Sequence, residues 1–217
     1  MEKPDVLARM RRARVVPVLR ADSVEEAVAV AHAIAAGGLT VLEITMTIPG
    51  AVEVLRRLAS SRPDLLLGAG TVLDPETARV CILEGARFIV SPALNAATIE
   101  LCRRYAVAVL PGALTPTEIV TAWQAGADVI KLFPAGAMGG AAYLHSLRGP
   151  LPHIPLLPTG GVSLANAAQF LDAGAFAIGV GAELADLRAH RQGHTEQITE
   201  KAKAYCALAH QSEIARS

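Results

Sequence analysis

The chain has 217 residues, of which 52% are apolar and 18% are charged, and its formal net charge at pH 7 is +0. This length and apolar content predict one large domain with an ample core, and the charge balance argues against nucleic acid or an anionic membrane as the main partner. No segment sustains the roughly 20 apolar residues that a membrane span needs. The apolar run at 15–19 follows several arginines but is too short for a signal peptide, so we expect a cytoplasmic protein.

One unit recurs along the chain. An apolar run is followed by a helical pattern, and the helix stops at a glycine, as at Gly37, Gly85, Gly126 and Gly174. The predicted strands are 15–20, 41–47, 65–72, 88–94, 108–114, 129–135, 155–161 and 176–181. Helices between them have capping residues at their starts, namely Ser23, Asp74, Thr115 and Ser163.

Two further helices are predicted outside this alternation, an opening one over 4–13 and a closing one over 195–209. Eight strands that alternate with helices indicate an α/β fold, a compact (β/α)₈ TIM barrel with an extra N-terminal helix. No linker or low-complexity tract interrupts the pattern, so residues 1–217 are predicted to form this single barrel domain. The three cysteines, Cys81, Cys102 and Cys206, are widely spaced and predict neither a disulfide nor a zinc framework.

Lys131 lies in the middle of the predicted sixth strand. It is the only lysine between Lys3 and Lys201, whereas most other cations in the chain are arginines. An amine nucleophile must be lysine, and burial among apolar neighbours disfavours the charged ammonium form. A lysine of this kind attacks carbonyl groups to form a Schiff base. The alternative is a lysine at a strand end that reaches water or pairs with a carboxylate.

Glu43, Thr45 and Thr47 share one face of the second strand by alternation, and this face points into the predicted barrel. A buried carboxylate needs a partner, so Glu43 is expected either to form a salt bridge with Arg20 or Lys131 or to transfer protons beside the reactive lysine. These two interpretations overlap.

Glycine-rich segments end three strands. The seventh strand leads into Gly160 and Gly161, the eighth ends around Gly181, and the third ends at 68–72 with Thr71. Glycine-rich loops after strands seven and eight of a barrel favour a phosphate site built from backbone N–H groups. The glycines of the third strand let the backbone approach a ligand, to which Thr71 offers a hydroxyl and an N–H.

The chain resembles the pyruvate-dependent class I aldolases of the 2-keto-3-deoxy-6-phosphogluconate (KDPG) and 4-hydroxy-2-oxoglutarate (KHG) family. The resemblance covers essentially the whole barrel and is carried by the segments 16–20, 42–45, 68–72, 91–92, 110–112, 131–135 and 158–161. It implies a homotrimer that acts on small keto acids and aldehydes and uses no metal or other cofactor.

The resemblance also implies roles for individual residues. Lys131 would form the Schiff base with pyruvate, Glu43 would transfer protons through a water molecule, and Thr71 would hold the pyruvate carboxylate. The bound keto acid would lie between apolar walls, and glycines would bind a phosphate. The walls are Pro92 and Phe133, and the glycines are Gly160, Gly161 and Gly181.

Two positions depart from the best-known bacterial members of the family. Thr47 stands where those members have an arginine that clamps the substrate carboxylate, and Arg20 is the candidate replacement at the same end of the barrel. Ala182 stands where they have a serine that helps to bind phosphate. These changes bear on the choice of substrate and leave the chemistry of the lysine untouched.

Three other classes of protein fit the sequence less well. A metal-dependent aldolase needs a cluster of ligands at strand ends, but the six histidines fall in predicted helices or loops. A phosphosugar isomerase or synthase barrel would share the phosphate loops but not the lone lysine. A phosphate-binding barrel without catalytic activity would leave Lys131 and Glu43 buried without a purpose.

Overall fold

The computed structural model of the protein describes residues 1–214, with side chains to residue 211. Within these residues the chain forms two parallel sheets, one with the strand order β5-β4-β3-β2-β1-β9 and the other with the order β6-β7-β8. The strands are β1 Val15–Leu19, β2 Val41–Thr45, β3 Leu66–Gly70, β4 Phe88–Val90, β5 Ala108–Leu110, β6 Gly112–Ala113, β7 Ile130–Leu132, β8 Leu156–Pro158 and β9 Ile178–Val180.

Helices connect the strands, as expected for parallel pairing. They are α1 Lys3–Ala13, α2 Val24–Ala36, α3 Ala51–Ser61, α4 Pro75–Leu83, α5 Ala96–Arg104, α6 Pro116–Gln124, α7 Gly140–Arg148, α8 Ala167–Asp172, α9 Leu187–Arg191 and α10 Glu196–Ile214, with a 3₁₀ turn at Gly136–Met138. None of the helices in the described residues is long and apolar enough to span a membrane.

The predicted α/β alternation is confirmed, but the strands are shorter than predicted and the fifth is divided. Pro111 separates β5 from β6, because proline has no N–H to donate to the ladder. Its carbonyl still accepts a hydrogen bond from the Lys131 N–H at 3.0 Å. The chain therefore passes from β5, which pairs with β4, to β6, which pairs with β7.

Helix starts follow the predicted caps in three of four cases. The side chains of Ser23, Asp74 and Thr115 accept hydrogen bonds from the third residue of α2, α4 and α6 respectively. The prediction for Ser163 is wrong, because α8 begins four residues later, after Asn166. The Asn166 side chain instead accepts a hydrogen bond from the Ser163 N–H at 2.8 Å, which folds 163–166 into a turn ahead of the helix.

Two apolar layers surround the strands. The larger joins the outer faces of the strands to the helices, while a smaller one fills the space between the inward-facing side chains near the amino ends of the strands. Helix α1 contributes Val6 and Met10 to this inner layer, so it covers the amino-terminal end. Because all the strands are parallel, their carboxyl ends lie at the opposite end, and this is where polar side chains collect.

We predict that Gly37→Ala destabilises the fold by about 1–3 kcal/mol, the usual effect of overpacking. A Cβ at this C-cap of α2 would lie 2.4 Å from the Ala202 Cβ and 2.6 Å from the Thr199 carbonyl oxygen of α10. Gly149→Ala is the matched control, since its nearest neighbour would be at 3.6 Å and its φ is −56°. Chemical denaturation measures both variants. Equal free energies of unfolding would show that α10 can move away without loss.

Candidate active site

Lys131 is the central residue of β7, with its register partners Gly112 on β6 and Leu157 on β8. Its residue exposure is only 5%, although it carries an amine at the end of a four-carbon chain. The amine lies 5.4 Å from the centre of the Phe133 ring, within the range of a cation–π contact. The alternative of a lysine that reaches bulk water is therefore excluded.

Glu43 lies on β2 and is 1% exposed. Its Oε1 is 3.6 Å from the Lys131 Nζ, a distance for a charge contact that is too long for a direct hydrogen bond. That oxygen has no hydrogen-bond partner among the described residues. A buried carboxylate oxygen without a hydrogen-bond partner costs free energy of folding. Such groups concentrate at functional sites, so Glu43 is a candidate for one. Of the two partners expected for Glu43, the structure brings Lys131 to it.

Two glycines of β3 make room for neighbouring side chains. A Cβ at Gly70 would lie 1.9 Å from the Glu43 Oε1, and a Cβ at Gly68 would lie 2.2 Å from the Phe88 ring. The backbone of this strand is therefore approached by the Glu43 carboxylate and the Phe88 ring, whereas the sequence had predicted the approach of a ligand. Glu43 can occupy its position only because residue 70 has no side chain.

A cavity of about 440 Å³ opens above the lysine at the carboxyl ends of the strands. Eight of the predicted site residues line it, namely Arg20, Thr71, Pro92, Lys131, Phe133, Gly160, Gly161 and Gly181. Sequence reasoning had drawn these residues from six separate strand ends. Glu43 lies beneath the cavity, against the lysine.

Thr47 is exposed and is not among the residues that line the cavity. The Thr45 hydroxyl donates its single proton to the Leu19 carbonyl at 2.9 Å, so the Thr47 hydroxyl, 2.9 Å away, donates to Thr45. Thr47 thus extends a short hydrogen-bond chain between β1 and β2. In this arrangement Arg20 is the guanidinium that lines the cavity.

Thr71 adopts a left-handed backbone conformation with φ 56°. Few residues other than glycine adopt this region, and strain of this kind concentrates at functional sites. Thr71 directly follows β3 and lines the cavity.

The loop after β8 is a tight turn formed by two glycines with positive φ. Gly160 and Gly161 have φ 85° and 79°, and a Cβ at Gly161 would lie 2.9 Å from the Gly136 Cα. The Gly136 N–H donates to the Gly160 carbonyl at 2.8 Å. Gly181, across the cavity, has open space where a Cβ would point. Gly160 and Gly161 require glycine for their backbone conformation, and Gly161 also for space, whereas a Cβ at Gly181 would meet no neighbour.

Thr159 is a cavity residue that sequence reasoning missed. It is 6% exposed, its hydroxyl has no hydrogen-bond partner in the described part of the chain, and a Cβ at the facing Gly179 would lie 2.2 Å from that hydroxyl. Its parity could have identified it, because Thr159 points to the same side of the strand as Leu157, the register partner of Lys131. The segment 158–161 had been noticed for its glycines alone.

Glu183, also missed, places a carboxylate at the wall of the cavity. Its Oε2 accepts a hydrogen bond of 2.5 Å from the hydroxyl of the buried Tyr205 on α10. Burial, followed by this contact with a carboxylate, raises the pKa of Tyr205 above its ordinary value. Lys201 donates to the Glu183 carbonyl at 3.0 Å, so α10 holds the loop after β9 at two points.

Comparison with known proteins gives a consistent assignment. The family model for aldolases of the KDPG and KHG type matches residues 6–201. A 2-dehydro-3-deoxy-phosphogluconate aldolase of Pseudomonas aeruginosa is 43% identical over 161 residues, which are 74% of this chain and 73% of the relative. A KHG/KDPG aldolase of Escherichia coli is 36% identical over 157 residues, 72% of this chain and 74% of the relative.

A solved structure extends the likeness to three dimensions. It is a KDPG aldolase from Legionella pneumophila with pyruvate captured at low pH as a covalent carbinolamine intermediate. It matches with a TM-score of 0.86 at 30% identity, and the match covers 94% of this chain and 98% of that one. Because the family model spans every strand and every residue that lines the cavity, the protein belongs to the KDPG and KHG aldolase family.

Proposed function

We propose that this protein is a class I aldolase, an aldehyde-lyase that works through a Schiff base on Lys131. It reversibly cleaves KDPG to pyruvate and glyceraldehyde 3-phosphate, or KHG to pyruvate and glyoxylate, or both. The observation that carries this proposal is the buried pair of Lys131 and Glu43, 3.6 Å apart beneath a cavity of about 440 Å³. Membership of the family gives the reaction class, and the pair supplies the two groups that the reaction needs.

The first steps activate the substrate ketone. The neutral amine of Lys131 attacks C2 of a 4-hydroxy-2-oxo acid to give a carbinolamine, which loses water and becomes a protonated imine. The imine then accepts electrons from the C3–C4 bond. The apolar walls formed by Pro92 and Phe133 exclude water around this intermediate, which protects it from premature hydrolysis.

Glu43 is proposed to move the protons. Its carboxylate removes the proton of the C4 hydroxyl, directly or through a water molecule, as the C3–C4 bond breaks and the aldehyde leaves. The same group returns a proton to C3 of the enamine, after which water hydrolyses the imine and releases pyruvate and the free amine. A carboxylate oxygen without another hydrogen bond is ready to accept such a proton.

The remaining predicted residues bind the two ends of the substrate. Thr71 and Arg20 are proposed to hold the carboxylate of the keto acid, and Gly160, Gly161 and Gly181 to bind a phosphate through backbone N–H groups. Ala182 has no hydroxyl to offer in the loop that follows Gly181. Phosphate binding there is therefore proposed to depend on backbone N–H groups and on the Arg20 guanidinium. Thr47, expected from the resemblance at the substrate carboxylate, lies outside the cavity lining and is proposed to act only through its hydrogen bond with Thr45.

The same residues argue against the other classes. None of the histidines lines the cavity, and in the described residues no group of three or more His, Cys, Asp or Glu is arranged to hold a metal ion. A phosphosugar isomerase or synthase, or a barrel that only binds phosphate, would have no use for a desolvated amine beside a carboxylate. The Schiff-base aldolase uses both.

We also propose that the two sheets close into one (β/α)₈ barrel, and that the chain is a single domain. The division at Pro111 spans a single residue, and on the other side Thr159 bridges to Gly179 as a parallel pair while the Phe176 N–H donates to the Leu156 carbonyl at 2.8 Å. These contacts support a ring in which β5 and β6 count as one strand, giving eight.

A homotrimer and a cytoplasmic location complete the proposal. Exposed apolar side chains near α4 and the end of α5 supply a surface for a second copy of the chain, namely Leu73, Val80, Leu83 and Tyr105. Arg79 packs over the Tyr105 ring at 4.2 Å, which links the two helices in one patch. The buried thiols of Cys81 and Cys102, whose pKa values burial raises to about 11 and about 12, suit a reducing compartment.

Lys131→Arg keeps the charge but removes the attacking amine, so aldol cleavage should fall by several orders of magnitude while the fold is retained. Mass spectrometry after treatment with pyruvate and borohydride should find the adduct on the peptide that contains Lys131. Lys201→Arg and Lys203→Arg are the matched controls and should form the adduct normally. An adduct on either of those lysines in the native protein would contradict the assignment.

Glu43→Gln preserves the size of the side chain and removes the base, and kcat should fall about 10²–10⁴-fold, the usual range for a lost acid–base group. The borohydride-trapped adduct should still form, more slowly. Glu53→Gln, which changes a half-buried glutamate on α3 far from Lys131, serves as the control for a lost carboxylate. Unchanged turnover in Glu43→Gln would show that another group moves the proton.

Arg20→Met should raise KM for keto-acid substrates about tenfold, because a charged hydrogen bond contributes roughly 1.5–3 kcal/mol. Adding Thr47→Arg should restore part of the affinity. Arg188→Met is the control, since Arg188 lies near Arg20 but outside the active-site cavity. Comparing KHG with KDPG separates the two ends of the substrate, because an increase confined to KDPG would make Arg20 a phosphate ligand. An unchanged KM with a lower melting temperature would make it structural.

A further inference from the structure

Among the described residues that line the active-site cavity, Glu183 is the one with a carboxylate, and the mechanism proposed above does not use it. It lies in the loop after β9, two residues beyond Gly181. We propose that the Glu183 carboxylate selects the aldehyde half of the substrate by accepting a hydrogen bond from the hydroxyl on C5. This inference rests on the proposed aldolase function and chooses between its two substrates, since it favours hydroxylated substrates such as KDPG over the dicarboxylate KHG.

A tight turn holds the backbone of Glu183. The Gly181 carbonyl accepts hydrogen bonds from the N–H groups of Leu184 and Ala185, at 3.0 and 3.1 Å. These bonds close a turn that carries Glu183. The Lys201 amine donates to the Glu183 carbonyl at 3.0 Å and so fixes the same turn from α10. The residue is therefore held in place before any substrate binds, which lowers the entropic cost of a contact with it.

One oxygen of the carboxylate is fixed and the other is free. The Glu183 Oε2 accepts a hydrogen bond of 2.5 Å from the hydroxyl of the buried Tyr205. Burial, followed by this contact with a carboxylate, raises the pKa of Tyr205, so the hydroxyl keeps its proton at neutral pH and stays the donor. The Glu183 Oε1 accepts no hydrogen bond within the described residues and is accessible to solvent. A substrate hydroxyl can therefore reach it.

The charge on Glu183 is not offset by a cation. No salt bridge joins it to a lysine or arginine in the part of the chain that the structure describes. The Lys201 amine is paired with the Asp186 carboxylate instead. The ordinary explanation, that Glu183 only anchors the loop on Tyr205, needs one neutral acceptor and no charge. A charged group with a free oxygen at the cavity fits the binding of a ligand better.

The position of Glu183 along the loop matches that of C5 along the substrate. The Schiff base joins C2 to Lys131, and Gly181 is assigned to the phosphate on C6. The C5 hydroxyl is the group next to that phosphate in the substrate, as Glu183 is close to Gly181 in the loop. We therefore place the Glu183 contact in the aldehyde half, away from the reacting amine.

The two substrates differ in charge at C5. KDPG carries a hydroxyl there, whereas KHG carries a carboxylate. An ionised carboxylate can only accept hydrogen bonds, so Glu183 binds the hydroxyl and repels the carboxylate. A site built to hydrogen-bond a substrate hydroxyl discriminates strongly against an analogue that lacks it.

Cleavage of two unphosphorylated substrates tests the proposal. They are KHG and the dephosphorylated form of KDPG, which keeps the C5 hydroxyl without the phosphate. In the native protein, kcat/KM for the hydroxylated substrate should exceed that for KHG at least tenfold. In Glu183→Met this ratio should fall at least tenfold, because the acceptor and its charge are both lost. A native preference for KHG, or an unchanged ratio in Glu183→Met, would overturn the proposal.

Further variants separate recognition from support of the loop. Tyr205→Phe keeps the acid, and the turn and Lys201 still hold its backbone, so the ratio should stay within about threefold of the native value. An equal loss in Tyr205→Phe and Glu183→Met would make Glu183 a loop anchor and refute the proposal. If Glu183→Met does not fold because the Tyr205 hydroxyl loses its partner, the double variant Glu183→Met/Tyr205→Phe is measured in its place. Glu200→Gln, an exposed glutamate on α10, is the matched control and should keep the native ratio.

The pyruvate adduct distinguishes failure of this proposal from failure of the aldolase function. Pyruvate lacks the aldehyde half, so Glu183→Met should form the borohydride-trapped adduct on Lys131 as the native protein does. A native protein that cleaves neither substrate and forms no adduct would refute the aldolase function itself. A normal adduct with an unchanged substrate ratio would refute only the role of Glu183.

Discussion

The rest of this structure depends on one contact between an amine and a carboxylate. The two groups lie 3.6 Å apart and are almost wholly removed from water. Withdrawing each charge from water costs several kcal/mol, and the attraction between them repays that cost only when the geometry is fixed. The hydrogen bonds between neighbouring strands fix this geometry, since Lys131 and Glu43 are each the middle residue of a buried strand. Stability is therefore supplied elsewhere, by the apolar layers, and the pair fits the chemistry proposed for it.

Because the strands are parallel, their two ends carry different groups of residues. The carboxyl ends supply a cavity with an amine, a strained threonine and glycine-rich loops, whereas the amino ends are covered by α1 and carry a cluster of guanidinium groups. The apolar inner layer separates them and keeps the lysine from bulk water on that side.

Local signals in the sequence predicted the parts of this structure that local physics decides. Helix α2 begins and ends where expected, because Ser23 caps one end and Gly37 follows the other. The prediction for Ser163 is wrong because Asn166 occupies the N-cap position of α8, and the Asn166 side chain accepts from the Ser163 N–H to close a turn ahead of the helix. Strand ends were predicted too long, since the extended chain continues past the last ladder hydrogen bond.

Contacts across the fold were harder to predict. Strand parity and loop position identified eight residues of the cavity wall, and the lone lysine identified its centre. Thr159 was missed because two conspicuous glycines follow it, and Glu183 because its partner, Tyr205, is 22 residues further along the chain. Arg11 and Arg148 meet at one cavity although they are far apart in the sequence, so no local pattern indicated their proximity.

The Glu43 side chain fills the space that a side chain at residue 70 would need. A Cβ built at residue 70 would lie only 1.9 Å from the Glu43 carboxylate. The two positions lie on neighbouring strands, 27 residues apart in sequence, yet they are not independent in any substitution experiment. Shortening the acid side chain would free space that a methyl group at position 70 could fill. Lengthening the residue at 70 alone would expel the acid from its place. The two positions therefore have to be varied together, because a library that varies position 70 alone would sample mostly chains in which the Glu43 carboxylate is displaced.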